Sequence, residues 1–188
     1  MTRPLYHYPS YILRIFAILI LLMFSAMSQA YSADQNEPSI RLSAAYHPRF
    51  VRTEVAYESK ALWQSSFFDR PIEMRFESSL AYWHANHHVD EAKSHHSLWQ
   101  VGLTPMLRWW WTDHWYLEAG IGPTLMSHTR FLNKDFSTAL QFGDHLGLGV
   151  MLNHDWRLGI RFSHFSNASI KKPNPGFNML HFSVNKSF

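Results

Sequence analysis

"QFGDHLGLGVML", residues 141–152, alternates in character from step to step, broken only at Asp144 and Met151. Together with the residue before it, one face carries Leu140, Phe142, Leu146, Leu148, Val150 and Leu152. The other carries Gln141, Gly143, His145, Gly147 and Gly149. A period of two is the signature of a β-strand, whose successive side chains point to opposite faces. The small and polar face suits a narrow lumen filled by side chains, and the bulky face suits lipid.

The same alternation recurs along the chain. Trp99, Val101, Leu103, Leu107, Trp109 and Trp111 alternate with Gln100, Gly102, Thr104 and Arg108, and Leu117, Ala119, Ile121 and Leu125 stand against Glu118, Gly120 and Gly122. Ile72, Met74, Phe76, Leu80 and Tyr82 stand against Glu73, Arg75 and Glu77. The pattern predicts eight strands near residues 38–47, 51–64, 72–85, 97–111, 115–127, 138–152, 156–167 and 179–188. The fold class is therefore all-β, an eight-stranded antiparallel transmembrane β-barrel. In its lumen Glu73, Arg75, Glu77, Arg108, Glu118 and Arg161 are expected to pair. A soluble sandwich would turn the apolar face inward, but long strands with tryptophans near their ends fit a membrane wall better. Residues 112–114 and 153–155 make short turns, expected on the periplasmic side. The longer connections at "HANHHVDEAKSHH", "SHTRFLNKDFS" and "SHFSNASIKKPNPGFN" are expected outside.

The first residues read as a targeting segment. Arg3 and Arg14 flank a charged start, "IFAILILLMF" at 15–24 is apolar throughout, and Ser28 and Ala30 have the small size that a signal peptidase needs before its cut. The apolar run is well short of the roughly 20 residues of a spanning helix. Residues 1–30 are thus expected to be a cleaved signal peptide and 31–188 the barrel. With no cysteine, the exported chain must be stable without disulfides. The formal net charge of +3 is a weak pointer to anionic partners, and nothing in the sequence reads as a nucleic-acid site. The last strand, "MLHFSVNKSF", sets Leu180, Phe182, Val184 and Phe188 against His181, Ser183, Asn185 and Ser187. Its terminal aromatic, Phe188, resembles the signal read by the barrel assembly machinery.

Chemistry is concentrated on the seventh strand. Arg157, Arg161 and Ser163 share one parity, and Leu158, Ile160, Phe162, His164 and Ser166 the other. Because lipid does not take the arginines, His164 and Ser166 must face outward. That is costly for polar groups unless a membrane-embedded substrate meets them. Two residues apart on a strand is roughly 6–7 Å at Cα, which lets an imidazole bend toward a hydroxyl as a base toward its nucleophile. Spacing alone favours two polar residues at a membrane rim, since His-x-Ser is a common tripeptide.

The longer stretch "HFSNASIKKPNPG", residues 164–176, resembles the signature of the outer-membrane lipid A 3-O-deacylase (PagL-type) family, eight-stranded barrels with an outward-facing Ser–His–Glu site. The resemblance implies a carboxylic ester hydrolase that cleaves the 3-position acyl ester of lipid A and releases a 3-hydroxy fatty acid. It implies His164 as general base, Ser166 as nucleophile, Asn167 and Asn174 near the oxyanion, lipopolysaccharide as partner and no cofactor. The family's glutamate is absent, because Asn178 occupies its position. Asparagine can hold the imidazole tautomer but cannot neutralise an imidazolium. Asp144, alone in carrying charge on the apolar face of its strand, is the candidate substitute. A tight turn at 153–155 puts it opposite His164, with Cβ atoms about 4.5–5.5 Å apart.

Lys171 and Lys172 can meet lipid A phosphates or simply face solvent. Loss of the glutamate leaves open a non-catalytic barrel that binds lipopolysaccharide. A homodimer also stays open. His84, His87, His88, His95 and His96 lie in one connection without a strict ligand geometry, so a solvated loop is expected there and not a metal site. Eight strands leave no room for a pore.

Overall fold

Residues 36–86 and 95–188 are described by a computed structural model. Residues 1–35 and 87–94 lie outside that range, and with them the signal segment and His87 and His88.

The strands are β1 (Ser39–His47), β2 (Phe50–Glu58), β3 (Trp63–Phe67), β4 (Arg70–Ala85), β5 (Ser97–Trp110), β6 (Trp115–Met126), β7 (Arg130–Phe131), β8 (Lys134–Asp135), β9 (Leu140–Met151), β10 (Trp156–Ser166) and β11 (Phe177–Ser187). Every pairing within the main sheet is antiparallel, in the order β2-β1-β11-β10-β9-β6-β5-β4, and a β2–β4 ladder closes the ring. The result is the expected eight-stranded barrel, closed along the β2–β4 seam, with β3 pairing β4 alone beyond it.

The predicted 51–64 strand is in fact two pieces. From Glu58↔Glu77 to Trp63↔Met74 the chain advances five residues against three on β4. Two extra residues make a bulge, and local bonds satisfy its backbone. Ser59 N donates to Phe76 O at 2.8 Å, Leu62 N to Met74 O at 2.9 Å, and Ala61 N to Asn36 Oδ1 at 2.6 Å.

The lumen is filled in two tiers. Toward the short-turn end, Arg41, Arg75, Arg108, Arg157 and Arg161 are buried with Glu58, Glu73, Glu77 and Glu118. Arg161 reaches Glu77 at 3.0 Å and Glu118 at 2.5 Å, while Arg108 reaches Glu58 at 3.1 Å and Glu118 at 3.0 Å. All six residues expected to pair do so, and Arg41, Arg157 and Glu58 extend the network. The glycines of β9 make room for it. A Cβ on Gly149 would lie 2.0 Å from Tyr116 Cζ, and one on Gly147 2.9 Å from Glu118 Cγ. Toward the long-loop end the filling is apolar, with Phe50, Trp83, Phe131, Phe165 and Phe177 in edge and stacked contacts.

The outer wall is apolar, with Leu42, Ile121 and Leu146 about 60% exposed, a surface that only lipid tolerates over such an area. Tryptophans 109, 111, 115 and 156 ring the short-turn end, and Tyr46, Tyr82 and Trp99 lie toward the other, as girdles at two interfaces.

Candidate active site

On β10 the inward side chains Arg157, Arg161 and Ser163 are buried, so Phe162, His164 and Ser166 project outward near the long-loop end. The ladders place His164 opposite Asp144 on β9 and opposite Asn178 on β11. Asp144, His164 and Asn178 thus stand side by side across three strands, and the register inferred from the tight 153–155 turn holds.

His164 Nδ1 is 2.6 Å from Asn178 Oδ1. An amide oxygen only accepts, so the imidazole proton sits on Nδ1 and Nε2 keeps its lone pair for a base role. The opposite register neighbour, Asp144, is half-buried, and the ring's Nδ1–H goes to Asn178 and not to it. Gly176 closes the remaining side. A Cβ there would lie 2.7 Å from His164 Cε1, and its φ of +59° is one that glycine adopts without strain. No hydrogen bond joins Ser166 to His164 among the described residues, and Ser166 Oγ accepts from Ala168 N at 3.4 Å. Such catalytic bonds commonly tighten only when substrate is bound.

The loop after β10 is folded around Asn167, whose side chain is fully buried. Its Nδ2 donates to Phe136 O at 2.9 Å and to Lys171 O at 2.7 Å, and its backbone N–H donates to Asn174 Oδ1 at 3.0 Å. The Asn167 donors are committed to its own loop and to the connection after β8, so its side chain is a lock between the two. Asn174 has its oxygen fixed by that bond and is half-buried. Lys171 and Lys172 are exposed on the same loop. His95 stacks on His128 at 3.6 Å between ring centres.

One feature escaped sequence reasoning. A groove of about 540 Å³ opens on the outer wall beside His164 and Asp144. Its floor follows one row of cross-strand neighbours, Phe162↔Leu146↔Ala119↔Leu107↔Met74, from the outer end of β10 down toward the start of β4. Four strand spacings make it roughly 19 Å long. The ladder between β5 and β6 is interrupted from Leu103 to Pro105, opposite the stretch from Ile121 to Pro123. Prolines at both ends of that gap cannot donate to a ladder. The strands pinch there, with a Cβ on Gly120 or Gly122 falling 2.6 or 2.3 Å from a β5 carbonyl oxygen. Two in-strand prolines beside small residues on a bulky face were the signal.

Fold and site together define a small membrane β-barrel that carries a histidine at the head of an apolar groove on its lipid-facing wall, with a serine two residues on along the same strand face. The lipid A 3-O-deacylase (PagL) family profile matches residues 50–187. The chain is 36% identical over 176 residues to the lipid A deacylase PagL of Bordetella bronchiseptica, covering 93% of this chain and 95% of that one. It is 29% identical over 120 residues to the lipid A deacylase PagL of Pseudomonas aeruginosa, covering 62% and 65%. A crystal structure of the outer membrane enzyme PagL superposes with a TM-score of 0.65 at 20% identity, over 80% of this chain and 99% of the other, a likeness of fold. The chain belongs to the lipid A 3-O-deacylase family and is an outer-membrane β-barrel.

Proposed function

We propose that the protein hydrolyses the 3-position acyl ester of lipid A as a serine esterase, with the acyl chain lying in the outer-wall groove. The observation that carries this reading is His164 at the groove's polar end, with Ser166 two residues on along the same outward face of β10. The base and nucleophile lie where an embedded glycolipid presents its ester, and family membership supplies the substrate class.

The chemistry runs in two halves. His164 Nε2 takes the Ser166 proton as Oγ adds to the ester carbonyl, and Asn174 donates to the oxyanion that forms. The intermediate collapses with the sugar alkoxide leaving, and it takes the proton from His164. Water, deprotonated by His164, then adds to the acyl-enzyme, and the Ser166 oxygen leaves with that proton as the 3-hydroxy fatty acid is released. Asn178 holds the imidazole with its proton on Nδ1. Asp144 supplies negative charge near the imidazolium, in place of the family glutamate. No cofactor enters any step. Lys171 and Lys172, exposed on the same loop, are in this reading the partners of the lipid A phosphates.

Mass analysis of lipid A from cells expressing the chain tests the reading. Loss of one 3-hydroxyacyl group with the wild type, and none with Ser166→Ala, is the expected result. Unchanged lipid A in both, with the barrel present in the membrane, would favour a second reading. That reading is a lipopolysaccharide-binding barrel without catalysis, and the neutral Asn178 favours it. Two further expectations accompany the proposal. The mature chain begins at Tyr31, read by N-terminal sequencing, and removal of Phe188 lowers the amount of barrel assembled in the outer membrane.

A further inference from the structure

The connection between β6 and β9 contains a hairpin, β7–β8, that the alternation pattern did not reveal. Arg130 Nε pairs with Asp135 Oδ2 at 2.9 Å across it. Phe131 and the following Phe136 are buried in the aromatic tier of the lumen, 6.2 and 5.2 Å from the Phe177 ring. The hairpin is therefore anchored in the barrel on both sides of Lys134.

We infer that Lys134 is a positioning residue for His164, acting through Gly176. Its Nζ donates to Gly176 O at 2.5 Å and lies 4.4 Å from the centre of the Phe177 ring. Lys134 is half-buried, and desolvation together with the nearby Arg49 holds its pKa below the usual lysine value. The carbonyl it grips belongs to the residue whose Cα walls the His164 ring. Two residues further on, Asn178 supplies the acceptor for Nδ1. One ammonium group thus holds the Gly176 carbonyl at the edge of the β10–β11 ladder, which itself carries Phe177 and Asn178.

The other ties between these loops lie elsewhere. Ser137 Oγ donates to Pro173 O, and Asn167 Nδ2 donates to Phe136 O. These hold the far limb of the 167–176 loop when Lys134 is lost. Removing the ammonium leaves the loop and the β10–β11 ladder docked while the Gly176 peptide against the His164 ring relaxes, so the effect falls on chemistry and not on assembly or substrate capture.

The inference rests on His164 being the base, and the test separates the two claims. The full chain in detergent is compared with Lys134→Met, which keeps the stem over Phe177, with Lys134→Arg, and with Ser137→Ala. Lys134→Met is expected to lower kcat on lipid A micelles by about 10–100-fold, the order that a misplacement near 1 Å costs. KM should stay as it was, and labelling of Ser166 by a fluorophosphonate should slow in parallel. Lys134→Arg should restore most of the rate, and Ser137→Ala, which frees the Pro173 end of the loop and not the Gly176 carbonyl, should leave the exchange of the His164 Nδ1–H unchanged. The His164 Nδ1–H resonance, identified by its loss in His164→Gln, should exchange with water faster in Lys134→Met. That signal reads the contact even in a catalytically silent barrel, so loss of the proposed function alone does not decide the matter. Wild-type exchange and labelling in Lys134→Met, or a change in KM alone, would overturn the inference.

Discussion

Asn178 gives the His164 Nδ1–H an acceptor but no charge. When Ser166 gives up its proton, the imidazolium faces a dipole where a carboxylate would stabilise it more. Replacing an aspartate by asparagine in the comparable role of a serine protease costs about 10⁴ in turnover. Asn178→Glu is therefore expected to raise kcat on lipid A micelles, and a fall would show that the site has adapted to the neutral group. Asp144, one strand away, is expected to carry part of the missing charge. Asp144→Asn should lower kcat by about tenfold, equivalent to roughly 1.4 kcal/mol. The same change should matter less in the Asn178→Glu background, where the charge is already supplied. An effect confined to KM or to acyl preference would instead place this carboxylate on the substrate. Much of this scale was legible beforehand. The parity of β10 put His164 outward, and a tight turn put Asp144 opposite it. The ring's choice of Asn178 over Asp144 was not legible, because it is a matter of rotamers and of the Gly176 wall, which depend on how the loop folds.

At the scale of elements, the groove is a consequence of the pinch between β5 and β6. Its floor is flattest at Ala119, which faces lipid and can be enlarged without disturbing the lumen. Ala119→Phe is expected to fill the groove and raise KM for lipid A several-fold, with the Ser166 labelling rate unchanged. An unchanged KM would show that the acyl chain lies elsewhere. Alternation made most of the strands legible to within a few residues. The bulge between β2 and β3 was not, since its two extra residues preserve the alternating parity on either side. Neither was the β7–β8 hairpin, whose two-residue strands are too short to show a period. Pro105 and Pro123 were visible as residues, but their joint effect appears only when β5 and β6 are side by side.

On the scale of the whole molecule, the faces are set by where charge can go. The buried arginines and glutamates of the lumen compensate one another, which leaves the outer wall free to be apolar. Arg161 serves two glutamates, so Arg161→Met should destabilise the barrel by about 3–5 kcal/mol, the usual cost of orphaning buried partners. Urea unfolding in vesicles measures it, and an unchanged midpoint would mean that the remaining arginines re-pair. This distribution of charge is also what turns the imidazole and hydroxyl toward lipid. The most direct measurement of that claim is the mass of lipid A from cells carrying the wild type or Ser166→Ala at equal barrel levels. The account predicts loss of one 3-hydroxyacyl group in the first and an intact lipid in the second. Equal deacylation by both would contradict it.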